Sequence, residues 1–527
     1  MDLLPNAALE ASWPGHKPQS ICVIGAGPAG LSALKIIKDS QKYKDGLWTA
    51  TAFEARDNVG GVWLPAPGIG DPPLTPLYDS LTTNLPHPVM AYTSFPFPPE
   101  TALFPPAATV LKYMGDYAAH FDLYPLIQLK TPVLSVTRDN DAGNWVVTVR
   151  SPETHSEETS TFDYIVVANG HYRVPRFPST PGLKEWVEAK KAMHSVYYRN
   201  PSDFGNARTV VVVGAGPSGQ DLCTDLLASG RVVIHSVSGA VREDLHDGRL
   251  KVRGRIAQYG DLSEGRVVFE DGSEESGVDR CVLATGYKMD FPFFPSSILR
   301  QSLPPPVPPL PGALYNSTYH VFPLAKHVFP LVNAEEFPSS TVAFLGLPIR
   351  VAPLPLLEAQ MRAVLHVFAH PESLDPTQEA VDIIARYETL QSRVTEGSPT
   401  AAPTITSRTT EAEEVAKDAS SASADPVELA IANAWHRFDG HEQFEYRDAM
   451  HAFAGASIRV PAWEIEMYDA KGILREEWQD LERLGQADEW VRGVGSSAGE
   501  KGTEEWVALM RKLLKRAEER HPERSRL

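Results

Sequence analysis

Cysteine is scarce: a chain of 527 residues has three, Cys22, Cys223 and Cys281. They lie far apart and form no C-x-x-C pair, which weighs against a disulfide framework, a cysteine-rich zinc site and a redox-active dithiol. Each sits in an apolar segment and is expected to be a small buried residue. Long apolar runs are also missing. No segment approaches the length that crosses a bilayer, and the N-terminus lacks a charged start followed by an apolar core. The expectation is a soluble, cytoplasmic protein without a transmembrane segment. Positive charge is in short supply, with 49 Lys and Arg against 67 Asp and Glu and a net charge of −18. No basic block offsets this before the extreme C-terminus, so binding to nucleic acid is not expected. The H-E-x-x-H zinc signature is absent, and no metal site is expected.

What is present is a repeated grammar. A short buried-strand pattern, Ile21 to Ile24, runs into Gly25-Ala26-Gly27-Pro28-Ala29-Gly30 and then an apolar helix through Leu31, Leu34 and Ile37. The same order returns at Thr209 to Val213, Gly214-Ala215-Gly216-Pro217-Ser218-Gly219, and a helix through Leu222 and Leu226 that stops at Gly230. Strand, glycine turn and helix form half of a βαβ unit. The first glycine permits a tight turn, the second a close backbone approach to a pyrophosphate, and the third close packing of helix on strand. After the strand Thr49 to Phe53 comes Glu54, placed to accept hydrogen bonds from an adenosine ribose. The equivalent strand Val232 to His235 ends instead in Ser236-Val237-Ser238, with Arg242 close behind. An acid there would repel a 2′-phosphate, whereas hydroxyls and an arginine accommodate one, so the second nucleotide is expected to be NADPH. Arg242 reads equally well as a surface arginine.

Two further strand-like runs end in small steps, Tyr164 to Ala168 at Asn169-Gly170 and Cys281 to Ala284 at Thr285-Gly286-Tyr287. The proline-rich stretch Gln301 to Pro311 reads as an extended surface connection. Residues 391–426 have almost no large apolar side chains and are expected to be a flexible insertion. Beyond them, Trp435, Phe438, Phe444, Tyr446, Trp478, Leu481 and Leu484 suggest helices packed back on the body.

Phe53-Glu54 followed by Gly60-Gly61-Val62-Trp63 resembles the FE…GGxW segment of flavin-containing monooxygenases. Leu81-Thr82-Thr83-Asn84-Leu85-Pro86 is similar to the family loop that holds an asparagine beside the flavin. Ala168-Asn169-Gly170-His171-Tyr172 and Ala284-Thr285-Gly286-Tyr287 resemble the family's two crossings between its FAD and NADPH domains. Phe344-Leu345-Gly346-Leu347-Pro348, with Glu358-Ala359-Gln360 beyond, resembles a late FAD-domain segment of fungal members. These stations run in family order from about Ile21 to His366. One departs: in F-x-G-x-x-x-H-x-x-x-Y, His194 and Tyr198 are present, but Glu188 and Lys190 replace the aromatic residue and the glycine. His194 is expected to be structural.

The resemblance implies an α/β fold of two Rossmann-like domains, with a discontinuous FAD domain (18–178 and 285–390), an inserted NADPH domain (179–284) and a helical C-terminal segment (427–527) packed on the FAD domain. It implies FAD held by Gly25, Gly27, Pro28, Ala29, Gly30, Glu54, Gly61, Val62, Trp63, Thr83 and Asn84. NADPH falls to Gly214, Gly216, Pro217, Ser218, Gly219, Ser236 and Arg242. The implied reaction oxygenates a soft nucleophile, N or S, of a small molecule with molecular oxygen through a flavin hydroperoxide, with Asn84 as the catalytic residue. A Baeyer-Villiger monooxygenase acting on a ketone is the nearest alternative, disfavoured because Tyr198 stands where that class carries tryptophan. A disulfide reductase lacks its dithiol, and a non-catalytic nucleotide sensor on the same fold stays open, as does a homodimer.

Overall fold

The computed structural model describes residues 17–333, 337–395 and 425–520. Two parallel sheets organise the chain. The first has strand order Val342–Phe344, Tyr164–Val167, Gln19–Ile24, Trp48–Phe53 and Ile127–Gln128, with every neighbouring pair parallel. The second has order Glu243–Leu245, Leu250–Arg253, Val232–Ser236, Thr209–Val213, Arg280–Leu283 and Ala192–His194. Only its edge pair, Glu243–Leu245 on Leu250–Arg253, is antiparallel. The first sheet gathers strands from both sides of the second in sequence, the discontinuous arrangement with an insertion that the family resemblance implies.

Both faces of each sheet are covered, and for that reason the central strands read as continuous apolar runs rather than alternating ones. On one face of the first sheet, Ile21, Val23 and Val166 pack with Leu34 of the helix Pro28–Asp39, Met361 of the helix Pro353–Ala369, and Trp478, Trp506 and Met510 of the C-terminal helices. On the other, Cys22, Ile24 and Val167 meet Trp145 and Val147 of a three-stranded antiparallel sheet. In the second sheet Val211 and Cys281 face Trp186 and Tyr259, while Val210, Val212 and Val282 face Leu222 and Leu226 of the helix Pro217–Ala228. The three thiols are buried, and desolvation raises each thiol well above its ordinary value, so they are inert core groups.

Of the aromatic residues expected in the C-terminal core, Trp435, Phe438, Phe444 and Trp478 are buried; Leu484, at the end of the helix Lys471–Arg483, is exposed instead. Of the stretch 391–426, residues 391–395 complete the helix Pro376–Thr395, and Pro426 opens the helix Pro426–Ala434. Leu390 and Val394 of the first pack with Ile431 of the second, which carries helix past the point where composition alone turns polar. Residues 396–424 lie outside the described residues. No helix among the described residues is long and apolar enough to cross a membrane.

Candidate functional site

In parallel strands all C-terminal ends share one edge, and ligands of such folds sit outside that edge. At the first sheet's edge the turn after Gln19–Ile24 feeds the helix Pro28–Asp39, whose N-cap, Gly27, offers no side chain to its first amides. Those amides therefore face outward uncapped, with the positive end of the helix dipole behind them. The third glycine is required by packing, since a Cβ on Gly30 would lie 1.8 Å from the Gly25 carbonyl oxygen. The second is required by a loop: a Cβ on Gly27 would lie 3.1 Å from Cα of Gly61, and one on Gly61 2.8 Å from Cα of Gly27. The turn Gly61–Trp63, which includes Val62, thus rests directly on the first fingerprint, tied also by Gly60 N–H donating to the Ala26 carbonyl at 3.1 Å. Ala29 is half-buried in the first helical turn, and the Pro28 carbonyl accepts from the Tyr92 hydroxyl at 2.7 Å.

Glu54 is buried at the end of Trp48–Phe53. Its Oε2 accepts from Ala26 N–H at 2.8 Å and its Oε1 from Arg56 N–H at 2.9 Å. Each oxygen keeps a lone pair for a further donor. In the loop that follows, Thr83 is buried and donates to the Leu85 carbonyl at 2.8 Å. Asn84 is exposed, and its side chain makes no hydrogen bond among the described residues. The loop is anchored by Ala107 N–H donating to the Leu81 carbonyl, at the start of the helix Ala107–His120.

The second fingerprint is built alike but opens differently. A Cβ on Gly219 would lie 2.1 Å from the Gly214 carbonyl oxygen, the same helix-on-turn packing as at Gly30, whereas a Cβ on Gly216 would meet no non-neighbouring atom of the described residues within 4 Å. Gly216 caps the helix Pro217–Ala228 without a side-chain hydrogen bond, and Ser218 is half-buried in its first turn. Gly214 and Gly216 border a cavity of about 720 Å³ that also takes in Ser236, Ser238, the crossing segments around His171 and Gly286, and a far wall from Ile349, Arg350, His436 and Arg437. No residue of the first fingerprint lines this cavity, nor do Glu54, Gly61, Val62, Trp63, Thr83 or Asn84; they form a separate cluster at the first sheet's edge.

At the second strand tip the Ser236 hydroxyl donates to the Gly254 carbonyl at 3.0 Å, and Ser238 Oγ accepts from Arg255 at 3.0 Å. Arg242 is exposed and does not line the cavity. The arginine brought to Ser236 and Ser238 is Arg255, just past Leu250–Arg253, the strand paired in parallel with Val232–Ser236. Its signal in the sequence was the strand-like run before it, whose tip reaches the same edge.

His194 is buried, with Nδ1 accepting from Val196 N–H at 3.1 Å and Nε2 at 3.0 Å from the Gly286 carbonyl, which fixes the proton on Nε2. Burial pushes it down to about 4, so it is a neutral strut under the return crossing. Tyr198 is likewise buried and donates to Asp225 at 2.8 Å. The run Gly495 to Gly499 has G-x-S-x-G spacing, but it lies in a turn with no strand leading into it, unlike a nucleophile elbow.

The family model described as flavin-binding monooxygenase-like matches residues 18–243 and 241–406. The Arabidopsis thaliana flavin-containing monooxygenase FMO GS-OX-like 2 is 31% identical over 403 residues, covering 70% of this chain and 78% of that protein. FMO GS-OX-like 4 of the same plant is 28% identical over 505 residues, covering 89% and 96%. Among solved structures, the S-allyl-L-cysteine S-oxygenase of Allium sativum is 25% identical with a TM-score of 0.68, covering 90% of this chain and 99% of that one. Tmm from a Pelagibacter species, 18% identical with a TM-score of 0.63 over 87% and 91%, shares the fold. These relatives are plant and bacterial proteins and lend no support to the expected closeness to fungal members. The chain belongs to the flavin-binding monooxygenase-like family and is a flavin-dependent monooxygenase with FAD and NADPH as its cofactors.

Proposed function

We propose that the enzyme oxygenates sulfur, or nitrogen of similar softness, in a small molecule: NADPH, a proton, O₂ and the substrate give NADP⁺, water and the S- or N-oxide. The observation that carries this reading is the pair of side-chain-free helix N-termini at the C-terminal edges of two parallel sheets, one beneath the Gly61 loop and one opening into the cavity. The activity printed for the Allium sativum structure, an S-oxygenase, favours sulfur.

In this reading Gly25, Gly27, Pro28, Ala29 and Gly30 take the FAD pyrophosphate, with Gly61, Val62 and Trp63 as the lid over it, and Glu54 takes the adenosine ribose. Gly214, Gly216, Pro217, Ser218 and Gly219 take the NADPH pyrophosphate. Ser236, Ser238 and Arg255 take its 2′-phosphate, with Arg255 in the place expected for Arg242. When bound, flavin would supply hydride acceptance from the nicotinamide and oxygen activation; the chain's part would be to orient the two rings and exclude water. His194 holds the Gly286 crossing without carrying charge, and Asn84 offers a free amide from an anchored loop. An asparagine that merely served its own turn would be hydrogen-bonded there.

Stopped-flow flavin reduction with NADPH and NADH tests the coenzyme assignment. NADPH is expected to react with the larger second-order rate constant, and Arg255→Gln to erase most of that preference. Equal rate constants in the wild type would overturn it. Sulfoxide formation from a thioether panel, followed together with NADPH loss, tests the reaction.

A further inference from the structure

We infer that Asp221 and Asp225, on the helix of the second fingerprint, position Asn84 by gripping the loop in front of it; the inference rests on the role proposed above for Asn84 and adds the residues that set its place. Neither carboxylate lines the cavity, so they act through the loop and are positioning residues.

By sequence the loop belongs to the first sheet's domain, since it runs from the turn Gly61–Trp63 to Thr83 and Asn84. By packing it belongs to both domains. Tyr78 is buried in the core on one face of the second sheet, among Tyr198, Val210, Val212, Leu222 and Leu226, and Leu81 lies against the same core. Leu85 and Val89, just beyond, are buried in the first sheet's core instead. The chain therefore changes cores between residues 81 and 85, and the exposed Asn84 stands inside that step. Four residues reach at most about 14 Å, which leaves little slack.

Each side of the step has its own fastening. Toward the second sheet, the Tyr78 hydroxyl donates to Asp221 at 2.6 Å and the Ser80 hydroxyl to Asp225 at 2.5 Å. The two acids stand four apart on the helix Pro217–Ala228, so one helix face holds both. Burial and the Asp221 carboxylate raise the Tyr78 hydroxyl above its ordinary value, which keeps it a donor, and Arg475 balances Asp221 from the C-terminal helices at 3.1 Å. Toward the first sheet, Thr83 N–H donates to the Pro105 carbonyl and Ala107 N–H to the Leu81 carbonyl, each at 3.0 Å. The Asn84 side chain makes no hydrogen bond of its own among the described residues, so its place is set by the backbone on either side. The helix that takes the NADPH pyrophosphate at its N-terminus in the reading above thus also carries the Asn84 loop along its flank, and one rigid element registers the two.

The test uses Tyr78→Phe and Ser80→Ala, singly and together, as FAD-bound holoenzyme beside the wild type and Asn84→Leu, with thioanisole as the oxygen acceptor. Each change deletes one hydroxyl and leaves Asp221 paired with Arg475 and Asp225 with Tyr198. Flavin content and the second-order rate constant of reduction by NADPH should stay within about twofold of wild type, while product per NADPH falls about fivefold in the double variant. The balance goes to the unproductive reaction, in which NADPH, a proton and O₂ give NADP⁺ and hydrogen peroxide. Ser80 is exposed, so Ser80→Ala alone should fold and lower the ratio about twofold, and Ser80→Thr, which keeps the hydroxyl, should restore it. Added to Asn84→Leu, the double change should lower the ratio no further, because both act through one amide. Hydrogen exchange supplies a readout without turnover: amides of residues 79–83 should exchange about tenfold faster in the double variant, and those of the helix Pro217–Ala228 at wild-type rates. Wild-type exchange at 79–83 would overturn the inference whatever the enzyme oxygenates, and so would a further loss of coupling in the Asn84→Leu background. Uncoupling by Asn84→Leu but not by the double change would also overturn it and leave the Asn84 role standing. Wild-type coupling in Asn84→Leu would remove that role and the inference together.

Discussion

Gly27 meets Gly61 across a gap that a single Cβ would close to 3.1 Å. From sequence, a side chain at Gly27 is expected to obstruct the pyrophosphate; the structure adds that it first strikes the backbone of a second loop. Gly27→Val should therefore yield protein without flavin absorbance after purification, through displacement of the 60–63 turn as well as of the cofactor. A folded variant with full flavin content would contradict this. For Asn84 the expected defect is chemical. Asn84→Leu removes an exposed amide that holds nothing else in place, so flavin content and reduction by NADPH should persist. Loss of one hydrogen bond worth on the order of 1–3 kcal/mol should lower the yield of oxygenated product per NADPH about tenfold, with hydrogen peroxide making up the difference. Unchanged coupling would return Asn84 to a purely local role. Glycines and Glu54 were readable because their constraints act within a few residues of a strand end. Arg255 was not. Arg242 is nearer in sequence to Ser238, but only pairing of Leu250–Arg253 beside Val232–Ser236 delivers an arginine to that edge.

At the scale of elements, the second sheet is fastened to the rest through the helix Pro217–Ala228. Asp225 on this helix accepts from the Tyr198 hydroxyl at 2.8 Å and from Ser80 at 2.5 Å, and Asp221 one turn earlier accepts from Tyr78 at 2.6 Å and from Arg475 of the C-terminal helices at 3.1 Å. Asp225→Ala leaves the buried Tyr198 hydroxyl without its acceptor, at a cost on the order of 1–3 kcal/mol, and should lower the urea midpoint accordingly. Adding Tyr198→Phe should recover part of that loss, since the orphaned group is then gone. Strict additivity of the two changes would show that the hydroxyl contact contributes little. The strand-turn-helix units were legible because their apolar period and their glycines agree. The strap of Ile349 on Arg437 was not, because no periodicity marks a two-residue bridge between segments so distant in sequence.

For the molecule as a whole, acid is the weak side. Burial pushes His87 and His320 down to about 3 and His194 to about 4. An unfolded histidine near 6.5 takes up a proton that these folded ones refuse, so their contribution is intact above about pH 6.5 and is lost progressively as pH falls toward 4. Between pH 7 and 5 each should remove roughly 1–2 kcal/mol of stability, read as a falling urea midpoint with proton uptake on unfolding. A midpoint that is flat or rises across that interval would show that protonation reaches these sites without unfolding. The two crossings between the units have a different kind of consequence. Val174–Pro175 and Tyr287–Lys288 pair as one antiparallel ribbon, with Pro175 opposite Tyr287, so the polypeptide leaves for the second unit and comes back through a single doorway. In design terms the second unit is a cassette: its two ends stand about 5 Å apart. A donor domain whose own termini are adjacent could be spliced in at that doorway without shifting the register of any strand in the first sheet.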